Sequence, residues 1–357
     1  MSNFPRDKPL QHNGESRPIS RSVQITAWAL LTVILYFTLE VFSYFIYASK
    51  LPYDYDHDLG WVLKPSYQTV FNTQDVDGTW HLSHLKTDSH GFRAWGDIKT
   101  NKKKLLIIGD SFTAHPYTSD DQAYFSVAAK QLNMEIFAGG GGGYGTLQEL
   151  ILLEKYVKEI NPDIFVLQFC SNDFSDNHHD FKTNSIVRNQ SNFRPYLHQG
   201  RIIKNNHSVY RIFYRFSYTF RILDIGLQKL QYAYYQGYSA KPSDPTSASY
   251  MQGPYTITAE LMKQMKATLP AKTKAYTINC NTRTQPLRDY WMEISSKSGF
   301  TPLPGVSQAV EIQEANGETV RVKDGSHWNI TGNRIVGEEL SKAIYASDVD
   351  YGGQAVR

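Results

Sequence analysis

A chain of 357 residues is long enough for a full α/β domain with an appendage, and two cysteines are too few for a disulfide-stapled mini-protein. Its 37 basic and 34 acidic residues leave a net charge of +3, too small a field to favour nucleic acid as a partner.

In chain order, residues 1–22 are polar and carry Pro5, Pro9 and Pro18, the composition of a disordered tail. Residues 23–48 are apolar, with Glu40 the only charge, and roughly 25 such residues cross a hydrocarbon core of about 30 Å as a helix. The run ends in Tyr44-Phe45-Ile46-Tyr47, not in the small residues of a cleavage site, which predicts a retained transmembrane helix. Arg6, Lys8, Arg17 and Arg21 precede it, and Asp54, Asp56 and Asp58 follow it. That bias leaves the N-terminus in the cytoplasm and the remainder on the periplasmic or cell-surface side. The competing reading is a buried helix of a soluble domain.

Residues 49–103 predict a small irregular or β-rich lead-in. At Leu105-Leu106-Ile107-Ile108 a continuous apolar run opens the main domain, 104–346, and similar runs return at 135–138, 163–169 and 274–280. Helical patterns lie at about 120–132, 147–160, 257–268, 284–297 and 330–346. The alternation predicts an α/β fold, a doubly wound, flavodoxin-like parallel sheet with helices on both faces and its ligand crevice at the carboxyl ends of the strands. A helical insertion interrupts it at about 176–254, and residues 347–357 predict a flexible tail. Within the insertion, residues 208–235 are rich in Tyr and Phe and carry Arg211, Arg215, Arg221 and Lys229. Three readings stand: an ordinary packed helix, a face lying on the membrane, or a cap over the site. Cys170 and Cys280 each end an apolar run and read as buried free thiols, a single disulfide being the alternative.

Four segments carry chemistry. Gly109-Asp110-Ser111 follows the first buried strand, which places a serine hydroxyl at the crevice. A serine needs an imidazole to take its proton, and the imidazole needs a carboxylate; Asp324 and His327 supply both from one turn. Gly139–Gly143, Tyr144 and Gly145 allow close backbone approach to a ligand. The G-x-G-x-x-G match within them follows the second strand and has no partner acidic residue, so it does not read as a nucleotide site. Ser171-Asn172-Asp173 ends the third strand. Asp173, Asp176, His178, His179 and Asp180 match no metal-site spacing and read as a solvated loop.

Together these four blocks resemble the SGNH hydrolases, also called GDSL esterases and lipases, over about residues 104–346. The resemblance implies Ser111 as nucleophile, His327 as base and Asp324 as its orienting carboxylate. It also implies an oxyanion hole formed by Ser111, Gly143 and Asn172, and no cofactor. Cys170 stands where the family has glycine, and the asparagine usual before the glycine block is absent. Asp88–Arg93 looks like a segment upstream of the serine block in envelope-associated members. The expected function is hydrolysis of an O-acyl ester on an envelope carbohydrate or lipid through an acyl-enzyme. The alternatives are acyl transfer with the same residues, or a non-catalytic envelope scaffold.

Overall fold

The computed structural model describes residues 20–50, 52–179, 193–204, 208–236, 248–280 and 285–353. The first nineteen residues, including Arg6, Lys8 and Arg17, lie outside that set, as do 180–192, 237–247, 354–357 and the side chains of Arg211 and Lys229.

The main sheet grows from β6 (Lys104–Gly109), whose side chains are buried on both faces. Leu106 and Ile108 enter one core and Leu105 and Ile107 the other, as alternation along a strand requires. Beside β6 run β7 (Glu135–Gly140) and β8 (Ile164–Phe169), then β11 (Lys274–Asn279) and β12 (Thr301–Pro302), all parallel. The order is β12-β11-β8-β6-β7-β5. The edge strand β5 (Ala94–Trp95) comes from the lead-in and runs antiparallel to β7, so the sheet is mixed and not purely parallel. Two residues are enough to close that edge, and too few to leave an alternating pattern in the sequence.

On one face lie α4 (Thr146–Ile160), α8 (Ala248–Thr268) and α9 (Gln285–Lys297). The other is covered by α3 (Tyr124–Leu132), α10 (Pro304–Ala315) and α11 (Ile330–Gly353). Each fully buried Leu, Ile or Phe in these cores contributes about 1.5–3 kcal/mol. Helix α8 starts before the predicted residue 257 and passes through Pro254. Beside it, Gly253 leaves room for the His178 ring, which a Cβ would meet at 2.6 Å. Helix α11 runs past 346 because no glycine or proline follows that position before Gly352-Gly353, so the expected tail begins as helix.

The lead-in forms two hairpins, β1 (Tyr53–Asp56) with β2 (Gly60–Leu63), and β3 (Gln68–Gln74) with β4 (Trp80–Lys86). The insertion is not wholly helical. Its described residues include the hairpin β9 (Pro195–His198) and β10 (Arg201–Lys204), turned by Gln199 and Gly200 at φ 51° and 73°, the left-handed pair that a two-residue turn needs. Two helices follow, α6 (Ser208–Phe216) and α7 (Tyr218–Gln236). The N-terminal apolar run is helix α1 (Arg21–Lys50), whose side chains are exposed along most of its length, unlike a helix in a soluble core. Cys170 and Cys280, at the ends of the neighbouring strands β8 and β11, form a disulfide and are not free thiols. Parallel pairing of those strands brings their Cα atoms to 5.5 Å, within reach of a bond.

Candidate active site

The serine loop is held before it holds anything. Asp110 accepts the N–H of Phe112 on its carboxylate, capping the one-turn helix α2 (Ser111–Ala114). Gln168, on the adjacent strand, accepts the N–H of Asp110 at 3.1 Å and the Thr113 hydroxyl at 2.9 Å, and its amide donates to Asp110 Oδ1 at 3.0 Å. Glycine is required at 109 because a Cβ there would lie 2.3 Å from Gln168 Oε1. Burial pushes the Asp110 carboxyl up to about 6, against the N–H of Phe112 and the Gln168 amide, which favour its charge. From the lead-in, buried Arg93 donates to the carbonyls of Thr113, His115 and Thr118 and to the Asp120 carboxylate.

The histidine loop meets this serine. Asp324 folds back to accept the N–H groups of Ser326 at 2.8 Å and His327 at 3.0 Å, with Gly325 at φ +70° completing the turn. Its other oxygen lies 2.6 Å from His327 Nδ1, and His327 Nε2 lies 2.7 Å from Ser111 Oγ. The structure therefore brings Ser111, His327 and Asp324 into one unbroken hydrogen-bonded chain. Burial opposes the charge on Asp324, but hydrogen bonds from the His327 ring and from the N–H groups of Ser326 and His327 outweigh it, holding the carboxyl well below the usual range. Phe112, Tyr117 and His115 surround the imidazole at ring centroid distances of 4.5, 4.9 and 5.3 Å. Burial, with the neighbouring His327 and Arg93, pushes His115 down to about 3, so it stays neutral beside them. The β3–β4 hairpin grips the same loop: Lys323 N–H donates to Gln74 O at 2.7 Å, and Asn329 Nδ2 donates to Asp75 Oδ2 at 2.9 Å.

Gly143 and Asn172 lie just past the ends of β7 and β8, the two strands flanking β6. Glycine is forced at 140, where a Cβ would lie 2.0 Å from Gly109 O, so the glycine block crosses directly against the serine strand. Gly143 itself has φ +69°. Its neighbour Gly142 donates to the Tyr53 hydroxyl at 3.0 Å, and the Gly143 carbonyl accepts from Arg194. Arg194 also lies 3.4 Å from Asp176 Oδ2, the same atom to which the Asn172 amide donates at 3.1 Å. One buried guanidinium thus ties together the segments carrying Gly143 and Asn172. Asp173 and Asp176, on the short helix α5 (Asn172–Asp176) that follows β8, are buried and not parts of a solvated loop. The His179 ring packs edge-on to Tyr196 at 5.3 Å.

Arg93, Gln168, Tyr53 and Arg194 are absent from the sequence-based site. Gln168 had a signal, a lone amide inside an apolar run; Arg194 had none. Alongside the triad opens a cleft of about 430 Å³, lined by the hairpin residues Phe71, Asn72 and Trp80 and by Tyr117, Lys323 and Asp324.

A family model described as GDSL-like lipase/acylhydrolase matches residues 105–340. No curated protein matches the chain. Similar crystal structures include a lipase/acylhydrolase from Enterococcus faecalis, 15% identical with a TM-score of 0.39 over 69% of this chain and 96% of that one. A GDSL-like lipase from Parabacteroides merdae is 13% identical, with a TM-score of 0.36 over 68% of this chain and 95% of that one. An acetylxylan esterase from Geobacillus stearothermophilus, crystallised as a catalytic mutant, is 12% identical, with a TM-score of 0.35 over 67% and 93%. Likeness at that level carries nothing about substrate. The match to the family model spans most of the chain, from the first buried strand into the last helix, and by it the protein belongs to the GDSL-like lipase/acylhydrolase family.

Proposed function

We propose that the protein is a serine esterase that hydrolyses an O-acyl ester through an acyl-enzyme. The observation that carries this reading is the continuous chain from Asp324 through His327 to Ser111, with 2.6 and 2.7 Å links. Ser111 Oγ attacks the ester carbonyl carbon as its proton passes to His327 Nε2. The tetrahedral oxyanion collapses, the C–O bond to the alcohol breaks, and the alcohol leaves with the proton from His327. Water, losing a proton to His327, then attacks the acyl carbon; the bond to Ser111 Oγ breaks, His327 returns the proton to that oxygen, and the acid leaves. The oxyanion is held by the N–H groups of Ser111 and Gly143 and by the Asn172 amide, one of whose two N–H bonds goes to Asp176. No step requires a cofactor.

The sheet is read as doubly wound, with the site at the carboxyl ends of β6, β7 and β8. The 430 Å³ cleft is read as the place for the alcohol portion of the substrate, and its exposed Trp80 suits stacking on a sugar ring. Helix α1 is read as a retained span with the N-terminus inside. The domain then lies on the outer side, where the Cys170–Cys280 disulfide fits an oxidising compartment and envelope glycans supply O-acyl esters. Ser111→Ala tests the mechanism. Turnover of acetylated sugars should fall at least about 10³-fold with unchanged thermal unfolding. Undiminished hydrolysis would refute the mechanism.

A further inference from the structure

Among the described residues, helices α6 and α7 leave large apolar side chains exposed. On α6, Val209, Ile212, Phe213 and Phe216 recur at helical spacing and are 53–70% exposed, while Tyr210 and Tyr214 turn inward onto Phe193. On α7, Leu223, Leu227 and Leu230 continue the pattern at 60–69% exposure. Seven large apolar side chains on two successive helices form a patch that water alone does not stabilise. A helix pair destined for the core would bury this face and expose the tyrosine side.

The corner between these helices is fastened to α1. Glu40 accepts the Ser217 hydroxyl and, at 2.8 Å, the N–H of Tyr218, which caps the start of α7 with a carboxylate. Thr219 bonds Ser43 at 3.1 Å, and the Tyr44 and Tyr218 rings meet edge-on at 5.0 Å. Arg221 closes the other side of the corner, donating to the carbonyls of Tyr214 and Arg215 and facing Asp54 at 4.0 Å. Glu40, a costly charge within an apolar span, thus has a partner supplied by the insertion. At about 1.5 Å per residue, Glu40 lies about 25 Å along α1 from Val23, close to the far edge of a hydrocarbon core about 30 Å thick. The contact therefore draws the α6–α7 corner to the outer boundary of a hydrocarbon core that starts near Val23.

We propose that α6 and α7 lie in the outer leaflet of the bilayer that α1 crosses, with Val209, Ile212, Phe213, Phe216, Leu223, Leu227 and Leu230 among the acyl chains. This rests on the reading of α1 as a span. The occupant is lipid because the helices that carry the patch are joined, through Glu40, Ser43 and Tyr44, to a helix whose apolar side chains are exposed along most of its length. The two helices then form a second, interfacial foothold that fixes the tilt and height of the domain, so that the site faces envelope polymers at a set distance from the bilayer.

The test uses the full chain reconstituted in phospholipid vesicles. The native cysteines are bonded to each other, so a spin label attaches at one introduced cysteine: Phe213→Cys, Leu227→Cys, Leu35→Cys within α1, or Ile312→Cys as the aqueous reference. Collision with oxygen relative to a water-soluble nickel chelate should be several-fold higher at 213 and 227 than at 312, approaching the value at 35. Each variant must keep the wild-type thermal unfolding, and Phe216→Cys and Leu223→Cys replace any that does not. Water-like values at 213 and 227 with a lipid-like value at 35 would overturn the interfacial foothold and leave the anchor standing. Water-like values at all sites would overturn both. Low collision with both reagents at 213 and 227 would mean that protein covers the face, and would equally overturn the proposal.

Discussion

His327 holds its orientation through a carboxylate that has two jobs, since Asp324 accepts the ring Nδ1 on one oxygen and the backbone of its own turn on the other. In Asp324→Asn the turn keeps one acceptor while the tautomer that faces Ser111 is lost; kcat should fall on the order of 10³-fold or more with KM little changed. Because its carboxyl is depressed, Asp324 adds stability above its ordinary carboxylate range, and the gain is lost as pH falls towards the lower folded value. His115 gives a different signature. Neutral when folded and pushed down to about 3, it binds a proton only on unfolding between there and 6.5, so stability falls as pH drops through that window. Asp110, pushed up to about 6 by burial, opposes this, because the folded state holds its proton more tightly above 3.8. Denaturation midpoints at pH 7 and 5 should therefore decline less in His115→Asn than in the wild type; parallel declines would contradict the assignment. Arg194→Gln leaves the Asp176 carboxylate buried without its guanidinium and frees the Gly143 carbonyl. A loss of about 3–5 kcal/mol in stability is expected. In Arg194→Lys, with the fold retained, kcat should drop while KM stays, since the fork that spans both segments is gone. That Ser111 meets the turn carrying Asp324 and His327 was legible because the proposed pairing of a nucleophile with a base demands particular residue types. The groups that hold them were not, since an arginine such as Arg194 acquires meaning only when distant segments meet.

Among the elements, the β3–β4 hairpin belongs to both scaffold and site. Its inner face bonds the serine side, with Ser83 to Pro116 O and His81 to Tyr117 O, while Gln74 and Asp75 grip the histidine loop. Trp80 is left 62% exposed at the cleft. Trp80→Ala should raise KM for an acylated oligosaccharide several-fold and leave a small aryl acetate unaffected; equal effects on both would remove the cleft from substrate binding. Where β6 and β7 touch, Gly140→Ala should abolish folded yield, because the methyl would overlap Gly109 O and neither backbone can retreat. The four long parallel strands were readable because burial on both faces makes a continuous apolar run. Strands of two residues carry no such pattern, and α10, with only Val306, Ser307 and Val310 buried, carries a weak one. The lead-in read as irregular because its residues answer to other segments: the Asp88 carboxylate folds the 88–92 turn, and Phe92 then fills the space left by Gly139.

Taken whole, the molecule is a domain closed across its sheet by a disulfide and fastened, through the insertion, to an apolar helix. The Cys170–Cys280 bond spans a sequence separation of 110, and its reduction should cost about 4 kcal/mol, read as a lower denaturation midpoint in reductant. The thiol reading failed because two runs that look like independent buried strands turn out to be neighbours, and neighbour relations are set by topology. At every scale the proposed mechanism converges on Ser111 Oγ. Treating the full-length protein with a fluorophosphonate, then mapping the adduct by peptide mass spectrometry, tests that convergence directly. A single adduct is expected on the peptide carrying Ser111, absent in Ser111→Ala. An adduct on another residue, or a protein that hydrolyses esters and stays unlabelled, would contradict it.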